Sequence, residues 1–227
     1  MPRSWMKLAA GLLAGGVAVA ACGTVHMGAA AIVGNQRITS SNLSAEVANL
    51  SAGYQQYHRQ IQLQYPVSQM PQQVLAWIIR FQVRDRLAAR EGITVTPTEV
   101  QQALAGITAS IHQGGNNAPL PEVAVANGLP PDMVADLGQY QAIETKLLDR
   151  LDGGKLPAGS AAQQALETSF NKSQCLAARS LDIQVNPQFG ELDYSDFSVV
   201  LAPTTLSKPQ SSAPTPAASK PALTPPC

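Results

Sequence analysis

Hydrophobic and polar positions follow two spacings along this chain, and Gly, Pro and Asn punctuation marks where one gives way to the other. Ala29 to Val33 is an apolar run, Gly34-Asn35 a turn and Arg37-Ile38 a return to extended chain, which together predict a short strand or a hairpin. Thr39 or Ser40 then caps a long helix. Its apolar positions, Leu43, Val47, Leu50, Tyr54, Tyr57 and Ile61, step by four and three and so form one stripe. Gln55, Gln56, Arg59, Gln60 and Gln62 take the opposite face, and the pattern stops at Pro66, too soon for a coiled coil. A second helix is predicted from Pro71 to about Glu91. Val74, Leu75, Ile78, Ile79, Val83 and Leu87, with Trp77 and Phe81, make it the most hydrophobic helix after the N-terminal segment and the centre of the core. Arg80, Arg84, Arg86 and Arg90 alternate around it with Asp85 and Glu91 among them, a pattern that predicts a solvated face with local ion pairs.

The sharpest local signal lies in Leu87 to Leu104, LAAREGITVTPTEVQQAL. Gly92 stands where a left-handed residue closes a helix. Thr96, Pro97 and Glu99 then form a start signal: a cap, a first-turn proline that needs no donor, and a glutamate that reaches back from N3. Such a capping box stabilises a helix end by about 1 kcal/mol. Val100, Leu104, Ile107 and Ile111 continue at helical spacing until Gly114-Gly115-Asn116-Asn117. After Pro119 and Pro121, Val123 to Ala126 predicts a helical turn ending at Asn127-Gly128. Leu129-Pro130-Pro131-Asp132 begins another helix with Met133, Leu137, Tyr140, Ile143, Leu147 and Leu151 on its inner face, ending at Gly153-Gly154. Ser160 to Asn171 is one more candidate, using Ala165, Leu166 and Phe170. The period then falls to two. Leu181, Ile183 and Val185 alternate with Asp182 and Gln184, Asn186 to Gly190 turns, and Phe197, Val199 and Val200 suggest a last extended stretch. The simplest packing has these late strands joining the early Ala30–Val33 strand.

Both ends of the chain read differently. Arg3 and Lys7 followed by the apolar Leu8 to Ala21 resemble a signal peptide, since about 14 apolar residues are too few for a bilayer that needs about 20. Val19-Ala20-Ala21-Cys22-Gly23 looks like a bacterial lipobox, which marks Cys22 as the lipidation site and places the protein on the extracytoplasmic face of a membrane, held by its acyl chains. An ordinary secretory cleavage near Ala21 with an incidental cysteine is the plainer alternative. From residue 202 the Pro, Ser, Thr and Ala mixture cannot bury a core and predicts a disordered tail. The organisation expected is thus a signal peptide over 1–21, a tether over 22–28, a helical domain over 29–201 and a tail over 202–227.

Composition narrows the function classes. Of 227 residues, 45% are hydrophobic and 13% charged, so a packed domain is feasible and its surface must rely on Gln, Asn, Ser and Thr. Without residues 1–21 the 15 Lys+Arg fall to 13 against 15 Asp+Glu, a balance of about −2 that argues against nucleic acid as a partner. Besides Cys22 there are Cys175 and Cys227; a disulfide between them is possible outside the cytoplasm, but the plainer reading makes Cys175 a buried small hydrophobe. No CxxC or Cys/His cluster suggests a metal, and no cofactor is expected. GxSxG, HExxH, Walker and dinucleotide motifs are all missing, so no catalytic residue is assigned and no small-molecule substrate is expected. His58 and His112 lie on or beside polar helix faces and read as solvated.

EGITVTPTEV, AAIVGNQRITSSNL and VNPQFGELD, in that order, resemble three segments of the N-terminal chaperone domain of SurA/PrsA-type foldases: a helix–helix corner, an opening strand with its helix cap, and a near-C-terminal Asn-Pro-Gln-Phe-Gly…Asp segment. The resemblance implies a mainly α, SurA-N/trigger-factor-like helical domain with a small β-sheet formed by its N- and C-terminal strands. It also implies a chaperone-like holdase that binds exported unfolded proteins. Foldases of this type often carry a parvulin prolyl-isomerase insert of roughly 90 residues, an ordinary domain size. The stretch between Leu151 and Leu181 is about a third of that, and none of the three histidines, His26, His58 and His112, lies in it. No isomerase activity is therefore expected. A structural lipoprotein binding one cell-envelope partner is the alternative. Tyr54, Tyr57, Tyr65, Met70, Trp77 and Phe81 are candidate contacts for unfolded chains, but they sit at core spacing, so the substrate-binding residues are left unassigned.

Overall fold

The structure, a computed structural model, describes residues 28–154 and 159–201. The signal segment, Cys22 and the tail from 202 lie outside the described residues. Strands β1 (Ala29–Val33) and β2 (Gln36–Thr39) form a hairpin around Gly34-Asn35, with Ala31 opposite Ile38 and Val33 opposite Gln36. The far edge of β1 pairs antiparallel with β3 (Gln184–Val185), Ala31 facing Val185, so the sheet runs β2-β1-β3 and the early and late parts of the fold meet. Asn186 tightens the junction. Its backbone N–H donates to Ala30 O and its Nδ2 to Ala29 O, both at 2.9 Å.

Only one late strand joins this sheet. Leu181 is the C-cap of the preceding helix and Asp182 is left-handed at φ 47°, so the alternating run contributes two residues rather than five. β4 (Glu191–Asp193) and β5 (Ser198–Val200) form their own hairpin against the second helix. Gly190 permits the separation: at φ 129°, a Cβ there would stand 2.2 Å from Val200 O.

Among the described residues, six helices follow from the caps and stripes. α1 (Ser40–Tyr57) begins at Thr39, whose side chain accepts from Asn42 N, and ends a turn before Ile61. The chain there turns out of the helix to bury Tyr65, whose hydroxyl donates to Val125 O, and Ile61 packs on the core from this link. α2 (Met70–Arg90) is the centre of the molecule: Val74, Leu75 and Ile79 are fully buried against β1 and α1. α3 (Pro97–Gln113), α4 (Leu120–Ala126) and α5 (Val134–Leu151) come next. α6 spans Ser160–Ser180, continuing past Asn171 because Gln174, Ala177 and Ala178 also find buried places. Leu87, Ala88, Ile143, Leu147, Phe170 and Ala177 pack where α2, α5 and α6 meet. Leu151, expected on the inner face of α5, is its last residue and is 46% exposed.

Cys175 and Arg84 also depart from the sequence expectation. Cys175 is half-buried and disulfide-bonded rather than an inert core thiol. Arg84, assigned to a solvated face, is 2% exposed. Its Nη1 donates to Glu144 Oε2 at 2.6 Å and to Tyr140 O at 3.2 Å, and its Nη2 donates to Gln174 Oε1 at 2.7 Å. The guanidinium lies 3.5 Å from the Tyr140 ring centre and 5.1 Å from that of Phe170. Its partners come from α5 and α6, not from Asp85 or Glu91 beside it in sequence. Two other arginines of α2 also reach out of the helix, Arg80 to Asp196 O and Arg86 to Asn35.

Removing one member of a buried, hydrogen-bonded ion pair costs about 3 kcal/mol or more, because its partners stay buried unpaired. Arg84→Ala is therefore expected to lower the unfolding free energy by about 3 kcal/mol in urea titration. Arg84→Lys should recover little of it, since an ammonium cannot present a planar fork to acceptors on two helices.

Candidate functional site

The corner between α2 and α3 is built from backbone bonds first. Ile93 N donates to Ala88 O and Gly92 N to Ala89 O, a Schellman closure with Gly92 at φ 66°. The capping box then starts α3: Glu99 N donates to Thr96 Oγ1, and Thr96 N donates back to Glu99 Oε2 at 2.8 Å. Two cations of α5 fasten this corner from the side. Lys146 Nζ is 2.7 Å from both Glu99 Oε1 and Thr94 O. Arg150 pairs with Glu91, reaching its carbonyl and, at 3.7 Å, its carboxylate. The Lys146 contact, followed by the bonds from Thr96, holds the Glu99 carboxyl at a pKa of about 2.

From that fixed end α3 runs antiparallel along α5. Gly138 sets the closest approach: a Cβ there would stand 2.7 Å from Leu104 Cγ and 2.9 Å from Val100 Cγ1. Elsewhere the contact is open. α3 packs chiefly on α5, and none of its residues is buried. The uncovered part of its stripe forms one wall of a groove of about 850 Å³. Ala103, Gly106, Ile107 and Ile111 from α3 and Ala142 from α5 supply apolar surface; Gln102, Ser110, Gln141 and Thr145 supply polar surface; Glu99, Lys146 and Asp149 supply charge. Gly106 has open space in front of it, with nothing within 4 Å of a Cβ.

Glu99 to Ile111 covers about 18 Å at about 1.5 Å per residue. An extended segment of about five or six residues matches the length at about 3.3 Å each, and side-chain amides and hydroxyls beside apolar walls suit its unpaired backbone groups.

The aromatic and Met candidates lie elsewhere. Tyr65, Met70 and Phe81 are buried, while Tyr54, Tyr57 and Trp77 pack against the apolar clusters, Trp77 Nε1 donating to Asn127 O. His58 and His112 are exposed. The signal that points to the groove is the charge poverty of α3: Glu99 is its single Asp, Glu, Lys or Arg, unusual for a helix that is nowhere buried.

The chain matches the SurA-like N-terminal domain over residues 3–148. It belongs to that family. No parvulin domain is detected, and no curated protein and no solved structure matches the chain. The fold accords with the family, being mainly helical with a small antiparallel sheet closed by early and late strands. A SurA-like N-terminal domain is a chaperone-type domain and not a catalytic one, and its kind is consistent with binding unfolded proteins in general. All of the groove except Asp149 lies within the matched residues.

Within this SurA-like domain a second charged region lies where α1, α2 and α5 approach one another. Asn49 Nδ2 donates to Asp132, and Glu46 and Asp136 are close to that carboxylate. Burial, then the charge of Asp132, raises the Glu46 pKa; burial, then Asp85 and Asp132, raises that of Asp136; burial raises that of Asp85, against a hydrogen bond from Gln139. Among the described residues no group of three or more His, Cys, Asp or Glu is arranged to hold a metal ion.

These shifts give opposite pH responses. A carboxyl with a raised folded pKa favours the folded state when protonated, so its contribution is lost as pH rises from the ordinary carboxylate value through the folded one. Glu99, and Asp193 lowered by the Ser195 backbone N–H, contribute above the ordinary value and are lost as pH falls below it. The melting temperature should rise modestly as pH is lowered toward the ordinary carboxylate value of about 4, and fall below it. Glu46→Gln should flatten the upper limb and Glu99→Gln the lower one in a pH series of thermal scans.

Proposed function

We propose that this SurA-like domain is a holdase for exported, unfolded polypeptides, held at the extracytoplasmic face of a membrane by lipid on Cys22 and without prolyl-isomerase activity. The observation that carries the reading is the α3–α5 groove, an open, charge-poor trough with apolar walls whose length suits an extended segment of about five or six residues. Holdase binding has to be weak and sequence-tolerant. A five- or six-residue footprint with few fixed polar partners supplies that, because its gain comes mainly from apolar burial of a few hundred Å². The interval that carries the isomerase insert in many foldases is occupied here by α6 and its approach, and α6 packs against α2 and α5 as part of the core. The lipobox at Val19 to Cys22 supports the anchor.

Gly106 offers a clean test. An aromatic ring introduced there projects into the groove without meeting a neighbour at Cβ. Gly106→Phe is expected to abolish suppression of aggregation of several unrelated unfolded proteins while keeping the parent's melting temperature. Full activity of that variant would refute the groove as the binding surface. Capture of one stoichiometric partner, with no effect on aggregation by the parent protein, would favour a dedicated envelope adaptor instead. The anchor is tested separately: Cys22→Ala should move the protein from the membrane to the soluble or secreted fraction, and unchanged membrane retention would refute lipidation.

A further inference from the structure

Charge is unevenly distributed along the groove. At one end lie Glu99, Lys146 and Asp149; toward the other lie Ile107 and Ile111. Glu99 and Lys146 neutralise each other at 2.7 Å, and both Glu99 carboxylate oxygens are occupied, Oε1 by Lys146 and Oε2 by Thr96. Asp149 is exposed, and no hydrogen bond or ion pair of its carboxylate occurs among the described residues. Arg150, the adjacent cation, is committed to Glu91. Asp149 also stands in the last turn of α5, where unpaired helix carbonyls already carry partial negative charge and an anion is disfavoured. Asp152, just beyond, accepts from Gly154 N and adds a second negative charge. Among the described residues, the groove therefore ends at a carboxylate that no side chain pairs.

We infer that the groove is selective for extended apolar segments that carry a lysine or arginine at one end, the cation meeting Asp149 and the apolar side chains lying over Ala103, Ile107 and Ile111. The inference rests on the polypeptide-binding reading above and adds a polarity to it. An acidic residue at the same position of a bound segment would face Asp149 and the end of α5 without a partner.

The test is fluorescence anisotropy of the full chain with two labelled six-residue peptides. They share five apolar residues and differ only in a terminal Lys or its neutral counterpart, norleucine. The Lys peptide is expected to bind about two- to fivefold tighter at low salt, the range of a single exposed ion pair. That ratio should fall to about one in Asp149→Asn and in about 0.5 M salt, where the Debye length is only a few Å. Equal affinities in the parent protein, or a ratio unchanged by Asp149→Asn, would overturn the inference while leaving the holdase reading intact. Failure of both peptides to bind, or binding that Gly106→Phe does not weaken, would overturn both. So would sedimentation showing a dimer that Gly106→Phe dissociates, since a second copy would then be the occupant.

Discussion

A guanidinium with 2% of its surface exposed is the constraint on which the geometry of this domain depends. Transferring a charge from water to a protein interior carries a desolvation cost of several kcal/mol, and the fold has to supply nearly every interaction that water gave up. For Arg84 it does so at both terminal nitrogens, leaving the buried Nε without an acceptor among the described residues: the Glu144 carboxylate, two oxygen acceptors on Tyr140 and Gln174, and the faces of two aromatic rings surround the group. Each partner lies on α5 or α6. The cation is satisfied only when both helices are docked on α2 at the correct rotation, so it acts as a register pin for the three-helix layer.

That rotation determines what the rest of α5 can do. With Tyr140, Ile143 and Leu147 turned toward α2, residues such as Gly138, Gln141, Ala142 and Thr145 are left to meet α3 or line the groove. Gly138 and Gly106 then play opposite parts on the two facing helices, one admitting the neighbour's side chains and the other leaving space unfilled. The charges follow the same division: cations near the end of α5 clamp the corner, while carboxylates near its start gather beside α1 and α2.

Local features of the fold were legible in the sequence because their causes are local. Thr96, Pro97, Glu99 and Gly92 meet backbone requirements within a few residues of themselves, and the hairpin at Gly34-Asn35 needs nothing distant. Features created by tertiary contact were misread or missed. Arg84 among other arginines, with acids beside it, has the pattern of a solvated face; only Glu144 and Gln174, 60 and 90 residues away, make burial tolerable. α6 outlasts its apolar periodicity because Gln174 and Ala178 are drawn into a core assembled by other elements. Large aromatic residues were natural candidates for substrate contact, yet their size made them the best core-fillers. The groove is lined instead by Ala, Gly, Ile and Gln, residue types that carry no positional signal until a second helix faces them.

The absence of any buried residue in α3 has a consequence for how the protein can change. Substitutions at exposed positions away from caps and pins usually alter stability by no more than about 0.5 kcal/mol, while core changes commonly cost several times that. In this domain the elements that hold the fold together and the helix that forms one wall of the groove are therefore separable objects of selection. Sequence at Gln102, Ala103, Gly106 and Ser110 is free to drift toward new bound segments while Arg84 and its partners keep the scaffold unchanged.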